Sequence, residues 1–480
     1  MPEPKKPEQG QWNSRMALLN VCLAVFMAGL NDRALLVSLP TLTRVFRTSL
    51  TTIQWTLLVY DLALVGLVLT FGRLGDLFGR KKLYGAGFVL FVCGSALCGL
   101  SQSTAQLIAF RIVQGIGGSL LTANGRAILS AVFPVNHWGR TLGLMSMAFH
   151  VGLLAGPTLG GFLIDTLGWR WIFFINIPVG VVGAYLALKI LFDDRKEKRE
   201  RVRIDFQGAF LLLLANSSLL YAINELPQLG IYDPKFLSFG LLAVAAFFLF
   251  VWTEFRAEAP ILSLRLFRNR LFSFGNLSLF FIYSTQSAVQ FLLPFYLQSI
   301  MGFSPSQMGW IIIINSVVIV VVAPLAGWLS DRLGSQLLCT AGAGLIVTAQ
   351  FLIAFFSLES TVAGIMFPLA LSGLGWAIFN APNTSTILGS VPKDQVGVAS
   401  GMTTTMARIG AVMGIALSAT IFTQGLAAAG LSEFQIASPQ SWGSSPTVFV
   451  RTFRHTVHII NLFTLVSVFA SAVRGGRNAT

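Results

Sequence analysis

Apolar runs of about 20 residues recur along the whole chain, with only short polar turns between them. A helix needs a run of this length to cross the hydrocarbon core of a bilayer. We count fourteen such runs, of which the last, from His455 to Val473, is only just long enough. Charged residues make up 11% of the chain, too few to cover a large soluble domain. The sequence therefore predicts an all-α membrane protein with fourteen transmembrane helices.

The positions of the basic residues predict the orientation of these helices. An even number of spans places both termini on one side, and the segments of that side hold most of the 33 Lys and Arg residues, including the run from Arg195 to Arg203. Lys and Arg are enriched in cytoplasmic loops. We therefore expect a multi-pass protein of the cytoplasmic membrane with both termini in the cytoplasm. The net charge of +14 then reports topology, and no nucleic-acid partner is expected.

The pattern GxLxDxxG occurs twice, at Gly72–Gly79 after the second span and at Gly327–Gly334 after the tenth. Two copies at equivalent places predict two homologous six-helix bundles with the same orientation, a plan that places the substrate site near the midplane between the halves. We expect the first bundle in residues 1–192, a linker with two inserted helices in 193–270, and the second bundle in 271–480. The glycines suit a tight turn between helices.

Three ionisable residues lie at one predicted depth inside the spans. Asp32, Asp61 and Arg111 are all about 10 to 14 Å below the outer surface, from the rise of 1.5 Å per residue, and Arg33 lies in the same layer. Charges in a bilayer are costly and mark functional sites. Acids and arginines at one depth would neutralise one another, and protonating Asp32 or Asp61 would release an arginine. This predicts proton coupling by Asp32, Asp61 and Arg111; a static ion-pair network is the alternative.

Several motifs resemble those of the major facilitator superfamily. The segment Gly72–Lys82 is similar to the signature between its second and third helices, and Arg111–Gly118 is similar to a pattern tied to proton coupling. The fifth span is similar to the antiporter motif of the family, at Gly152, Gly156, Pro157, Gly160 and Gly161. Over essentially its whole length the chain resembles the fourteen-span drug:proton antiporters of this superfamily.

The resemblance implies the major facilitator fold, two six-helix bundles plus two extra helices. It implies a cytoplasmic gate motif at Gly72, Asp76, Gly79, Arg80 and, in the second copy, Asp331. The glycines of the fifth span recur at four-residue spacing, which allows close approach of another helix, and Pro157 adds a bend. We expect this stripe to form a close, bendable contact between the halves.

The first helix departs from the family pattern. Counted back from Pro40, Asn31 occupies the usual acidic position, the carboxylate moves to Asp32, about 100 degrees round the helix, and Arg33 replaces a threonine. The resemblance to the family therefore does not directly imply that this chain recognises cationic drugs. The candidates for substrate binding are polar, ionisable or aromatic residues within the spans: Asn31, Asp32, Arg33, His150, Gln286, Gln290, Trp376, Asn380 and Arg408.

The sequence favours a proton-coupled exporter of small amphiphilic or drug-like molecules that works by alternating access. One alternative is a transporter of an organic anion or acidic metabolite held by Arg33 and Arg111; another is a non-transporting sensor or scaffold. No enzymatic nucleophile, metal-ligand cluster or phosphate-binding loop is recognisable, so we expect neither an enzyme nor a metal site. The expected partners are the substrate, protons and lipids. The proton gradient would supply the energy without a cofactor, and we expect a monomer.

Overall fold

The computed structural model describes residues 9–133, 138–190, 206–229, 232–256, 264–391, 396–432, 435–436, 442–443 and 445–474. Within these residues, the fourteen helices of 15 residues or more are numbered in chain order: α1 Gln9–Phe46, α2 Trp55–Phe78, α3 Arg80–Leu100, α4 Thr104–Val132, α5 Trp138–Thr166, α6 Asn176–Ile190, α7 Phe206–Leu229, α8 Pro234–Arg256, α9 Arg270–Phe295, α10 Pro305–Leu333, α11 Ser335–Ile353, α12 Val362–Gly389, α13 Val396–Ala428 and α14 Pro446–Val473. Four short elements accompany them: one-turn helices Leu50–Ile53 and Trp171–Phe174, a 3₁₀ turn Leu264–Arg268, and a π-helical turn Tyr296–Ile300 that prolongs α9.

These helices confirm the predicted fold class. Eleven of the fourteen are long and apolar enough to cross a membrane, and α14 begins at Pro446 rather than near His455. The other three, α4, α7 and α9, do not meet this criterion within the described residues, where α7 contributes a shorter apolar stretch, Phe210–Ile223. Two of them carry polar side chains into the interior, Arg111 and Gln114 on α4 and Gln286 on α9, all of which are buried.

The helices pack in two groups with the same internal pattern. In α1–α6, α1 packs on α5, α2 on α4, and α3 on both α4 and α6; in α9–α14, α9 packs on α13, α10 on α12, and α11 on both α12 and α14. The second pattern is the first displaced by eight helices, as a repeat requires. Of the predicted domain boundaries, 192/193 lies outside the described residues and 270/271 lies at the first residue of α9.

The two inserted helices pack on each other and on one flank of the molecule. Helix α7 contacts both α2 of the first bundle and α13 of the second. The Thr420 hydroxyl of α13 donates to the carbonyl oxygen of Ile223 on α7, at 2.8 Å. On the opposite flank, α5 packs directly along α10.

The turns at the two repeated motifs share one conformation. Gly79, between α2 and α3, has φ 99°, and Gly334, between α10 and α11, has φ 82°. Side chains with a Cβ are strained there, which explains a glycine at both places. Arg80 donates from Nη1 to the carbonyl oxygen of Ala127 at 2.9 Å. The side chains of Asp76 and Asp331 lie outside the described part of the structure, so the gate role of the motif stays a prediction.

The two bundles are joined at one end of the molecule and separate at the other. We call the end where α1 begins and α14 ends the terminal side, and the opposite end the distal side. On the distal side, one continuous apolar cluster includes Leu39 and Leu50 of the first bundle with Phe295 and Phe449 of the second. Towards the terminal side, the bundles have separate clusters, one around Tyr84 in the first bundle and two in the second, one of which includes residues of the inserted helices. The molecule is therefore closed on its distal side.

Candidate functional site

A cavity of about 620 Å³ lies between the two bundles. It is lined by α1 to α5 of the first bundle and by α9, α10, α12 and α13 of the second. Its innermost lining includes Leu36 and Gln290, and it extends to Thr384 and Thr403 towards the terminal side. Charged side chains line it mainly at the innermost end.

Arg408 of α13 bridges the two carboxylates of the first bundle. Its Nη1 lies 2.7 Å from Asp61 Oδ1 on α2 and 3.4 Å from Asp32 Oδ2 on α1. All three side chains line the cavity and are partly exposed to it. Asp32 and Asp61 thus lie together, as their equal depth predicts. The bridge ties the bundles to each other at the closed end of the cavity.

Arg111 lines the same cavity as the two carboxylates but has other partners. Its Nε donates to the carbonyl oxygen of Thr56 at 2.8 Å, its Nη1 donates to Gln114 Oε1, and its guanidinium lies 4.2 Å from the ring centroid of Tyr60. In the described part of the chain it forms no ion pair with either carboxylate. Arg408 neutralises them instead. The position of a residue along its helix gives its depth in the membrane but not the direction of its side chain. The arginine that pairs with the two carboxylates comes from the other bundle.

Asn31 and Arg33 of α1 point in different directions from Asp32. Asn31 is buried and accepts a hydrogen bond from Gln114 Nε2 at 3.2 Å, so it belongs to the interior of the first bundle and does not line the cavity, in contrast to the prediction. One residue turns a helix by about 100 degrees, which separates Asn31 from Asp32. Arg33 lines the cavity and donates from Nη1 to Gln290 Oε1 on α9, a second link between the bundles.

The remaining binding candidates line the cavity: His150, Gln286, Gln290, Trp376 and Asn380. Gln286 accepts from the Ser372 hydroxyl at 3.0 Å. Trp376 packs against the ring of Tyr283, with the centroids 4.7 Å apart.

Two tyrosines that line the cavity, Tyr60 and Tyr283, are not among the residues predicted from the sequence. Tyr60 is adjacent to Asp61 in the chain. Tyr283 lies three residues before Gln286, a spacing that places both on one face of α9. Helical spacing from the polar candidates was the signal that could have found Tyr283.

The glycines of the antiporter-like motif contact two different helices. A Cβ at Gly152, Gly156 or Gly160 would clash with the backbone or Cβ atoms of α1, within the same bundle. At Gly161 a Cβ would clash with the backbone of Pro305 on α10, and Gly309 of α10 meets the backbone of Pro157. Of the described motif residues, Gly161 and Pro157 therefore make the predicted contact between the halves, whereas the other three glycines pack within the first bundle.

Polar contacts add to the closure of the distal side. Gln298, in the π-helical turn after α9, accepts from Arg44 Nη2 at 3.1 Å and donates to the carbonyl oxygen of Val37 at 3.0 Å, both on α1. On the other flank, Asp165 Oδ2 of α5 accepts from the backbone N–H of Ser306 at 2.9 Å, which caps the first turn of α10.

Comparison with known proteins places this architecture in a family. Residues 21–415 match the Major Facilitator Superfamily. The riboflavin transporter RibZ of Clostridioides difficile (strain 630) is 32% identical over 441 residues, which cover 91% of this chain and 95% of the relative. The multidrug resistance protein Stp of Mycobacterium tuberculosis (strain CDC 1551 / Oshkosh) is 31% identical over 414 residues, 86% of this chain and 76% of the relative.

A third relative and a solved structure agree with these matches. The tetracenomycin C resistance and export protein of Streptomyces glaucescens is 31% identical over 404 residues, 83% of this chain and 74% of the relative. The crystal structure of a bacterial homolog to the human lysosomal transporter Spinster has a TM-score of 0.70 at 15% identity, with 96% and 97% of the two chains covered, and shows the shared fold. The chain is a multi-pass membrane transporter and not an enzyme, and it belongs to the Major Facilitator Superfamily.

Proposed function

We propose that the protein is a proton-coupled exporter of small amphiphilic or drug-like molecules, of the fourteen-span drug:proton antiporter type, and that it works by alternating access. The observation that carries this proposal is the bridge from Arg408 to Asp61 and Asp32 at the closed end of the cavity. We further propose that the terminal side is cytoplasmic, so that the cavity would be reached from inside the cell.

The bridge is a suitable place for a proton to act. A proton on Asp61 removes the charge that attracts Arg408 at 2.7 Å and weakens a link between the bundles. Opening the distal side requires α1 and α2 to move away from α13. Protonation therefore favours the distal-open state and deprotonation favours the closed one, and a ligand with different affinity for two states shifts their equilibrium.

The cavity and the relatives support a small organic substrate. A volume of about 620 Å³ is in the range that holds one drug-sized molecule. Two of the relatives are named as resistance proteins, one of them also as an export protein, and a third is named as a riboflavin transporter. These names favour amphiphilic solutes and, for the resistance proteins, the export direction.

A specific observation also favours the second candidate function, transport of an organic anion. Arg33 lines the cavity and, among the described residues, forms no ion pair with a carboxylate. Arg111 is held by Thr56 and Gln114, so the anion would be held mainly by Arg33. The sensor or scaffold hypothesis has no comparable observation in its favour.

Flux in proteoliposomes tests the proposed coupling. We expect an imposed pH gradient to drive transport of at least one compound from a panel of cationic, neutral and anionic solutes. Asp61→Asn should abolish the response to the gradient, because the side chain can no longer take up a proton. Glu359→Gln, at an exposed acid on the distal side, is the matched control and should respond like the unaltered protein. Flux that ignores the gradient, or an Asp61→Asn variant that still responds to it, contradicts the proposal.

A further inference from the structure

We propose that the cavity selects planar fused-ring compounds with a carbonyl-rich edge, that is, ligands that accept hydrogen bonds, over planar organic cations. This inference rests on the proposed function and names the substrate class of the same site. It is carried by the charges, the hydrogen-bond donors and the aromatic side chains of the cavity wall.

The charges of the cavity disfavour a cation. Asp32 and Asp61 are the only carboxylates among its described lining residues, and a single guanidinium, that of Arg408, bridges both. Arg33 and Arg111 add two further positive charges to the same wall. Three guanidiniums against two carboxylates leave this end with a net positive charge. A cationic ligand would meet that charge with both acids already paired, which costs affinity.

The closed end also presents hydrogen-bond donors. A guanidinium can only donate, so the bond from Arg33 fixes the oxygen of Gln290 towards Arg33 and turns its NH₂ group away. Both side chains line the cavity, and within the described residues Nε2 of Gln290 has no hydrogen-bond partner. The remaining N–H groups of Arg33 lie beside it. This donor pair, Arg33 and Gln290, suits a ligand edge with carbonyl oxygens.

An aromatic surface lies at a matching distance from the donor pair. Tyr283 and Trp376 both line the cavity, half-buried, with ring centroids 4.7 Å apart. Tyr283 and Gln290 are seven residues apart on α9, so they share a face and are separated by about 10 Å along the helix axis. A ligand whose ring packs on Tyr283 and Trp376 and whose edge reaches Gln290 must span that length. A fused three-ring system does so, and aromatic contacts favour a flat ring there.

Equilibrium binding to the purified full-length protein tests this inference with two probes of similar shape. Lumiflavin is a neutral fused three-ring compound with two carbonyl groups on one edge; proflavine is a planar fused three-ring cation without carbonyls. We expect lumiflavin to bind and proflavine to bind at least about ten-fold more weakly, the ratio that corresponds to about 1.4 kcal/mol.

One substitution should reverse this preference. Gln290→Glu keeps the length of the side chain, removes its two N–H donors and adds a carboxylate that pairs with Arg33. We expect the Kd of lumiflavin to rise about ten-fold or more, because the ligand loses hydrogen bonds from the amide. The Kd of proflavine should fall, because the added carboxylate lowers the net positive charge of the cavity wall. Gln102→Glu, the same change at an exposed residue that is not among the lining residues of the cavity, is the matched control and should leave both constants unchanged. If the thermal melt shows that Gln290→Glu does not fold, Gln290→Met removes the same donors.

Three results would overturn the inference: no binding of lumiflavin, proflavine binding as tight as that of lumiflavin, or a lumiflavin Kd that neither Gln290 variant changes. Equilibrium binding needs no proton gradient, so these results do not depend on proton coupling. Conversely, gradient-driven flux of proflavine together with no lumiflavin binding would leave the proposed exporter intact and reject only the substrate class.

Discussion

Arg408 holds two carboxylates with one guanidinium, in a cavity that separates two halves of a membrane protein. Asp61 is the closer partner, at 2.7 Å, and Asp32 lies at 3.4 Å. Without Arg408 the two acids would face each other with like charges and no counter-ion among their described ion pairs. With Asp61 neutral, the contact between Arg408 and Asp32 is still available. We therefore expect removal of Arg408 to lower the stability of the protein more than neutralisation of Asp61 does.

We predict that Arg408→Gln lowers the free energy of unfolding by about 1 to 3 kcal/mol, less than for a fully buried pair because all three side chains are partly exposed. The double variant Arg408→Gln/Asp61→Asn should recover more than half of the loss, since only one unpaired carboxylate remains. Thermal unfolding in detergent at neutral pH measures both. Equal melting temperatures for the single and double variants would contradict the prediction.

For single residues, the sequence predicts the depth in the membrane better than the direction of the side chain. Asp32 and Asp61 lie together as their depths indicate, yet Arg111 at the same depth turns to Thr56 and Tyr60. The partner that replaces it, Arg408, comes from the second bundle, and no spacing within the sequence records how the two bundles dock. The polar and aromatic candidates of α9 and α12 were predictable because helical spacing keeps them on one face.

Among the helices, small residues decide where α5 approaches its neighbours. Gly152, Gly156 and Gly160 hold α5 against α1, and Gly161 brings its backbone against α10. The four-residue spacing predicts close packing of α5, but it does not reveal which neighbour each glycine meets. One added residue, from Gly160 to Gly161, changes the neighbour from the same bundle to the other one.

We predict that Gly161→Ala lowers the melting temperature, because its Cβ would clash with the Pro305 backbone, which cannot rotate away as a side chain does. Gly344→Ala in α11 is the matched control, since a Cβ at Gly344 meets no atom within 4 Å. There the change should be neutral or stabilise by up to about 1 kcal/mol, the helix propensity gained. Thermal unfolding compares the two; a melting temperature for Gly161→Ala at or above that of the control would show that the contact is not tight.

A second prediction at this scale concerns the repeated turn. Gly79→Ala forces a Cβ into a backbone conformation of φ 99° and should cost about 1 to 2 kcal/mol. Gly72→Ala, in the same motif but with no atom within 4 Å of the added Cβ, should cost less. Thermal melts of both variants measure the difference. Similar costs at the two positions would mean that the turn adapts to the side chain.

For the whole molecule, closure of the distal side is distributed over both flanks. Gln298 links α9 to α1, Asp165 caps α10 from α5, and an apolar cluster fills the space between. The two-bundle plan was predictable from the repeated motif and from the even number of spans. The closed side was not, because opening and closing use the same helices and hence the same sequence pattern.

We predict that a disulfide between the ends of α5 and α10 stops transport. In the double variant Asp165→Cys/Ser306→Cys the two cysteines stand where the Asp165 side chain reaches the backbone N–H of Ser306, and we expect their thiols to be oxidised when the distal side is closed. Flux in proteoliposomes should fall after oxidation and return with a reductant. Each single cysteine variant is a control and should be insensitive to oxidant. Normal flux with the disulfide formed would show that these ends need not separate.

The contact of α7 with both bundles has a mechanical consequence. Helix α7 packs on α2 and on α13, and a small void of about 10 Å³ lies among Leu62, Asn216 and Ile409 where the three helices meet. Any motion that separates α2 from α13 must slide α7 along at least one of them. An alternating-access motion that rocks the bundles would therefore carry α7 along with one bundle and shift it against the other.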